Sequence, residues 1–144
     1  MNFLFFVFGH FASALLFYLN HRFIFHTKLG NKKYIKVWKK VHTLHHKHDY
    51  KSDWKKYSII PWQGWVAFIT TATLIGYMSN FYFGFGLLSY VVAYEIVHYL
   101  IHKNPSSNYW AKFHWSHHRK DPHKNFATIY TFFDKIFGTY HKKN

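Results

Sequence analysis

Apolar and charged positions are segregated along the 144-residue chain. Residues 1–20 hold no Asp, Glu, Lys or Arg, and residues 57–94 hold none of these and no His. A bilayer's hydrocarbon core, about 30 Å thick, is crossed by roughly 20 apolar residues in an α-helix. Phe3–Asn20 supplies one such span. The 38 residues from Tyr57 to Tyr94 begin a stretch long enough for two. These are read as Ile59–Met78 and Phe81–Leu100, antiparallel about a turn near Ser79-Asn80. Gly64, Gly76, Gly84 and Gly86 interrupt the pattern, so a shallow, partly re-entrant hairpin stays open. A secretory signal would place positive charge ahead of its apolar stretch. Residues 1–20 carry no Lys or Arg, which favours a span.

All 19 Lys and Arg lie in 22–56, with eleven, or in 103–143, with eight. Basic loops are retained in the cytoplasm. Both segments are therefore expected there, with the N-terminus and the 79–82 turn outside. Trp54, Tyr57, Trp62 and Trp65 gather around the start of the second span, and Tyr109 and Trp110 follow the third, as an interfacial aromatic belt would. Asn104-Pro105-Ser106-Ser107-Asn108 is the nearest thing to a linker. The expected class is an all-α integral membrane protein. About three transmembrane helices carry a cytoplasmic helical cap, in one domain over residues 1–144.

Composition narrows this further. Aromatics make up 24% of the chain, too much apolar surface for disorder. Without Cys there is no disulfide scaffold, iron–sulfur cluster or thiolate zinc site. The net charge of +14 would attract anionic headgroups and acidic proteins. Nucleic acid is not an expected partner, because no recognition motif occurs and the charges flank membrane spans.

Of the 14 histidines, all but His10 and His141 fall at the cytoplasmic side of this topology. His42, His45 and His46 share one helical face, and His114, His117 and His118 repeat the same offsets. His98 and His102 are i,i+4 neighbours. His21 and His26 diverge by about 140° on a straight α-helix, so they reach two different metals or the helix unwinds near its end. Imidazole suits iron, zinc, copper and nickel. Ten converging imidazoles exceed one ion's capacity, and two ions with four or five ligands each account for them. Glu95-x-x-His98 occurs once, so the ferritin-type di-iron architecture does not fit. His-Glu-x-x-His is absent, and haem needs no such number of histidines. Asp49, Asp121, Asp134 and Glu95 are candidate acceptors for the outer imidazole N–H groups. Glu95 lies on the His98/His102 stripe. His48 and His123 are less well placed. His10, mid-span, is expected to hydrogen-bond between helices.

The run His21-x4-His26, His42-x2-His45-His46, His98-x3-His102, His114-x2-His117-His118 resembles the fatty acid hydroxylase/sterol desaturase superfamily of integral-membrane di-iron enzymes. So does the tail Asn125-Phe126 … Phe133-Asp134-Lys135-Ile136-Phe137-Gly138-Thr139. The resemblance covers about residues 15–140. The gap between His98 and His102 is closer to the fatty acid 2-hydroxylase branch than to the carotenoid hydroxylases, which have one residue more. Ala127 stands where the family has Gly.

The resemblance implies two iron ions, O2 as co-substrate and oxidation of a lipid C–H bond of fatty acyl, sterol or carotenoid type. Zinc can replace iron in purified members. The implied ligands are His21, His26, His42, His45, His46, His98, His102, His114, His117 and His118, with one of these behind the others or a water completing the set. No catalytic group beyond the ligands is implied. Hydroxylation and desaturation both remain open. The chain has no flavin, haem or dinucleotide fingerprint, so an external donor such as a ferredoxin or a cytochrome b5-like protein is implied. Candidate residues along the lipid route are Phe5, Phe6, Phe8 and Phe11, or Tyr90, Tyr94 and Tyr99. Ordinary helix packing is the alternative for each. The competing function is a non-catalytic metal-binding or transport protein, but transporters place ligands near the midplane and these gather at the cytoplasmic edge.

Overall fold

The computed structural model describes residues 1–48 and 60–141. Among them are six α-helices and no strand: α1 (Asn2–Leu19), α2 (Lys36–Lys47), α3 (Trp62–Met78), α4 (Phe81–Lys103), α5 (Tyr109–Arg119) and α6 (Phe132–Ile136). A π-helical turn, Asn20–Phe25, continues α1, and a 3-10 turn, Lys28–Asn31, follows it.

The helix boundaries follow local chemistry. Pro61, at φ −65°, precedes the first residue of α3, so this helix starts at Trp62 and not at Ile59, which lies outside the described residues. Asn80 Oδ1 accepts from the backbone N–H groups of Tyr82 and Phe83 at 2.9 and 3.3 Å. That cap makes the turn after Met78 and starts α4 at Phe81, as expected. α4 runs past Leu100 to Lys103, so His98 and His102 ride on one rigid helix. Asn108 caps α5 through the Ala111 N–H at 2.9 Å.

α1 and α3 both pack along α4. The glycines read as interruptions are sites of close helix approach. A methyl group on Gly86 would meet the Phe6 carbonyl and one on Gly84 the Ala72 carbonyl, Gly76 lies against Gly84, and Gly64 packs on the Trp38 ring of α2. Small residues permit this spacing in apolar bundles. His10 ties the bundle to the C-terminal strap, residues 120–141, which follows α5 and contains α6. The Ser89 hydroxyl donates to the Gly86 carbonyl at 2.7 Å. His10 Nδ1–H therefore donates to Ser89 Oγ at 2.8 Å, and its Nε2 accepts from the Tyr130 hydroxyl at 2.9 Å.

Two helices are long and apolar enough to cross a membrane, Asn2–Phe25 and Phe81–Lys103. Only 22% and 39% of their apolar windows are buried inside the protein, whereas the helices of a soluble core would be mostly covered. Phe3, Phe8, Val66, Leu74, Phe85 and Ile96 are among the large apolar side chains facing outward. The main core lies where α1 and α4 meet the strap, around Ala14, Tyr18, Tyr90, Val91, Tyr94 and Phe126.

Candidate metal centre

Each histidine reaches the centre by a geometric device that its own segment supplies. On α2 and α5 the three positions of His-x-x-His-His divide between two clusters. His42 and His46, one turn apart, join the first, and His45 turns to the second. On α5 the assignment reverses: His117 enters the first cluster, while His114 and His118 enter the second. His98 and His102, one turn apart on α4, complete the second cluster. In three of the four segments the i,i+4 spacing thus delivers two imidazoles to one cluster.

His21 and His26 are five residues apart, yet both enter the first cluster. The π turn explains this. Its i→i+5 geometry widens the helix between them and brings the rings to 5.0 Å between centroids. Of the two expected outcomes, the helix changes its winding near its end and the pair shares one cluster.

The first cluster is His21, His26, His42, His46 and His117, and the second is His45, His98, His102, His114 and His118. The candidate ligand atoms within each lie within 4.8 Å of one another. Nitrogens bound at about 2.1 Å would be at most roughly 4.2 Å apart and about 3.0 Å apart at right angles. The Nε2 atoms of His26 and His42 are 2.9 Å apart, and those of His46 and His117 3.2 Å. In the second cluster the His45–His98 and His102–His114 separations are both 3.1 Å. These distances fit a metal ion in each cluster. The clusters adjoin where His46 and His118 stack at 4.1 Å and 9°.

Burial keeps the rings neutral, as ligation requires. Desolvation, followed by repulsion from neighbouring imidazoles, holds His42, His114, His117 and His118 well below the usual histidine range. Desolvation is also the leading cause at His26 and His46, lowered to about 3 and about 4.

Two ligand candidates have their tautomers fixed by backbone carbonyls. His21 Nδ1–H donates to the Phe126 carbonyl at 2.5 Å, and His117 Nδ1–H to the Lys124 carbonyl at 2.7 Å. Each Nε2 therefore keeps its lone pair, and that of His21 has no hydrogen-bond partner in the protein. Both carbonyls belong to one short segment of the strap. Asn125 sits there at φ +57°, a left-handed conformation Asn tolerates better than most residues. Its side chain donates to Ser116 Oγ at 2.7 Å and accepts from His141 N–H at 2.8 Å.

Asp134 lies directly behind this segment and is fully buried. Its carboxylate accepts from the N–H groups of Phe126 and Ala127 at 2.8 and 2.9 Å and from the Thr139 hydroxyl at 2.7 Å. Burial pushes this carboxyl above its usual range, against the pull of those hydrogen bonds. The Tyr18 hydroxyl donates to Thr139 Oγ1 at 2.6 Å, which links α1 to the same network. Asp134 thus holds the carbonyl that orients His21.

The other candidate acceptors sit differently. Asp121 accepts from the His123 N–H at 2.8 Å and closes a local turn. Glu95 is half-buried on α4, three residues before His98. Asp49 lies outside the described residues, as do Trp54 and Tyr57. His123 approaches His26 at 6.4 Å between centroids but belongs to neither cluster, and His48 and His141 are exposed. The sequence reading missed the Lys124 and Phe126 carbonyls, because a backbone acceptor has no residue signature.

A largely apolar cavity of about 220 Å³ adjoins the first cluster. Phe17, Tyr18, His21, Tyr90, Tyr94 and Thr128 are among its walls. Tyr94 stacks on His98 at 5.5 Å and 8°, so the cavity wall also touches the second cluster. Of the tyrosines expected along a lipid route, Tyr90 and Tyr94 line this cavity and Tyr99 does not. Phe5, Phe6, Phe8 and Phe11 do not line this cavity, and Phe6 and Phe11 border shallow outer grooves instead.

Two five-imidazole clusters at one end of an apolar helix bundle define a histidine-rich metal-binding membrane protein. The chain belongs to the fatty acid hydroxylase family, whose model matches residues 6–139. It is 28% identical over 144 residues to dihydroceramide fatty acyl 2-hydroxylase FAH2 of Arabidopsis thaliana, covering 92% of this chain and 58% of that protein. It is 29% identical over 147 residues to dihydroceramide fatty acyl 2-hydroxylase FAH1 of the same plant, covering 92% and 59%. The chain therefore spans less than two thirds of the length of these curated relatives. No solved structure matches it significantly.

Proposed function

We propose that this chain is an O2-dependent di-iron oxygenase that hydroxylates the acyl chain of a membrane lipid. The observation that carries the reading is the placement of two five-histidine clusters against an apolar cavity. The names of the relatives favour an N-acylated sphingoid lipid as substrate and the carbon beside the acyl carbonyl as the target.

His21, His26, His42, His46 and His117 hold one ion in this reading, and His45, His98, His102, His114 and His118 hold the other. Zinc is an acceptable substitute in a purified sample, since imidazole serves both metals. A pair of iron ions supplies the redox capacity to reduce O2 and oxidise an unactivated C–H bond, chemistry that side chains alone do not offer. The chain's part is binding, orientation and exclusion of water. Phe17 and Tyr90 line the acyl path, and Tyr94 separates the cavity from His98. Thr128 Oγ1 is buried at the cavity wall beside Tyr94 and is a polar atom suited to a lipid carbonyl or amide. The Phe126 and Lys124 carbonyls hold His21 and His117 with Nε2 inward, and Asp134 keeps that segment fixed. Asp121 and Glu95 support the same shell less directly.

The balanced reaction is R–H + O2 + 2e⁻ + 2H⁺ → R–OH + H2O, with both electrons from an external carrier. The chain is read as one domain with three spans, α1, α3 and α4, and with the histidine cap and basic segments in the cytoplasm. α3 has 17 residues, or about 26 Å of helix, close to a hydrocarbon core of about 30 Å.

The test is anaerobic purification with iron, chemical reduction, and exposure to O2 with ceramide-class and free fatty acyl lipids. The expected result is two irons per chain and a product gaining one oxygen atom. A product losing two hydrogens would mark a desaturase. Equal product from His45→Ala, or metal uptake into vesicles without lipid oxidation, would overturn the reading.

A further inference from the structure

We propose that the basic groove around Trp115 is the docking surface for an acidic one-electron carrier protein, and that the Trp115 indole joins this surface to the metal centre. The inference rests on the oxygenase reading, which requires two electrons from outside the chain.

The groove has a volume of about 300 Å³ and is lined by Pro105, Ser106, Lys112, Trp115, Arg119 and Lys120, with Ser116 beneath. Among the described residues no carboxylate lines it. Lys112 and Lys120 are exposed, and the Arg119 guanidinium lies 4.4 Å from the Trp115 ring centroid. Trp115 is only 8% exposed, so it forms the groove's floor and reaches inward. There its ring lies 5.4 Å from His102 and 5.7 Å from His118, centroid to centroid. Its indole N–H donates to the Ile101 carbonyl at 3.4 Å, which fixes the ring against α4. One side chain thus touches the basic surface on one side and two members of the second cluster on the other.

A lipid headgroup would need only the charges. Nothing in headgroup binding calls for an aromatic ring set between those charges and two imidazoles. Electron transfer does, because its rate falls steeply with the gap between donor and acceptor, and rings in contact shorten that gap. Complementary charge raises the encounter rate of such partners. Electron-transfer encounters also use small interfaces, below about 1,200 Å². In each encounter the carrier's reduced iron–sulfur or haem centre loses one electron through this contact. Two encounters supply both electrons of the balanced reaction, with two protons drawn from solvent.

The test uses the full chain in neutral nanodiscs, both metal-free and iron-loaded. The probes are an acidic [2Fe–2S] ferredoxin and a soluble cytochrome b5 domain. Binding of either probe should weaken tenfold or more in the Lys112→Glu/Lys120→Glu variant, with or without metal, and the difference should shrink at high salt. Trp115→Leu should leave that affinity within twofold and slow reoxidation of saturating reduced carrier at least tenfold. Trp115→Phe should fall between, and melting curves and iron content identify any variant that has not folded. The proposal is overturned if neither probe binds the wild type in a salt-dependent way, or if charge reversal leaves binding unchanged. It is also overturned if folded Trp115→Leu accepts electrons at the wild-type rate. Loss of affinity for phosphatidylserine vesicles alone would mark the groove as a lipid contact and overturn it too. Chemical reduction bypasses the groove. Failure of the chemically reduced wild type to oxidise lipid therefore counts against the oxygenase reading and leaves the docking result to stand or fall by itself.

Discussion

The imidazole of His21 and the carbonyl of Phe126 meet at 2.5 Å across 105 positions of sequence. The contact turns a helix end and a C-terminal strap into one unit. Its far end is Asp134, which accepts the N–H of the same Phe126. Asp134→Asn keeps the shape and replaces one acceptor by a donor facing a backbone donor. An orphaned buried polar group costs about 1–3 kcal/mol. The variant is expected to lose about 2–3 kcal/mol of stability and to bind the first-cluster ion more weakly than the second. Thermal melting and metal analysis check this, and unchanged values for both would remove Asp134 from its positioning role.

Acid should unfold the metal-free cap early. His26 and His46 are lowered to about 3 and about 4, and His42, His114, His117 and His118 are also lowered by burial. A histidine in the unfolded chain titrates near 6.5. Between that value and the folded values the unfolded state binds more protons, so stability rises with pH across this window. It is complete above about pH 6.5 and is lost as pH falls toward 4. Melting temperatures of chelated protein from pH 4.5 to 7.5 should climb and then level. A flat profile would mean the rings are solvated.

Much of this arrangement is legible in the sequence, and the limits are physical. The uncharged runs locate α1 and the stretch that holds α3 and α4, whereas Pro61 and the Asn80 cap, not charge, set the boundaries within that stretch. The ten clustered histidines are legible because i,i+3 and i,i+4 spacing is a property of any helix. How His-x-x-His-His divides between two clusters depends on the rotation of α2 and α5 about their axes, which tertiary packing sets. The winding change at Asn20–Phe25 is foreshadowed only as one of two ways to reconcile His21 with His26. Asp134 stands out as a carboxylate in a closing motif, yet two of its three partners are the backbone N–H groups of Phe126 and Ala127, beside the Thr139 hydroxyl. The cavity is partly legible: Tyr90 and Tyr94 line it, while Phe5 to Phe11 sit too far along α1.

The division into two clusters predicts metal stoichiometry. His26→Ala should lower the content from two ions toward one, and so should His98→Ala, while the double variant should approach zero. His46 and His118 stack between the clusters, so His118→Ala should also weaken the first ion. Iron-loaded samples analysed by elemental mass spectrometry after extensive dialysis check this. If His98→Ala releases both ions as readily as the double variant, the clusters do not bind independently.

Filling the cavity should separate lipid turnover from metal binding. Ala127 is 5% exposed and lines the cavity, while its contact with Asp134 uses only the backbone N–H. Ala127→Leu adds three carbons toward Phe126 and the acyl path, and overpacking typically costs about 1–3 kcal/mol. The variant should retain two ions, melt a few degrees lower and lose at least tenfold in lipid turnover. Shorter acyl chains should recover part of the loss. Turnover at the wild-type rate with long acyl chains would place the substrate elsewhere.

The π turn makes the last and most local prediction. His42/His46, His98/His102 and His114/His118 each send an i,i+4 pair to one cluster, and His21/His26 achieves the same with one residue more. A π turn amounts to an α-helix with one residue inserted. Deleting the exposed Phe23 should therefore relax Asn20–Phe25 to α-helix and leave the two imidazoles at i,i+4, still on one face. The connection from Thr27 to Ile35 lies outside the long helices and can absorb the shift. Inserting an alanine after Ile24 should instead rotate His26 about a further 100° and away from His21. The deletion should keep two ions per chain at reduced affinity, and the insertion should keep only the second-cluster ion. If both variants lose the first ion equally, the winding of this segment is dictated by contacts other than the histidine pair.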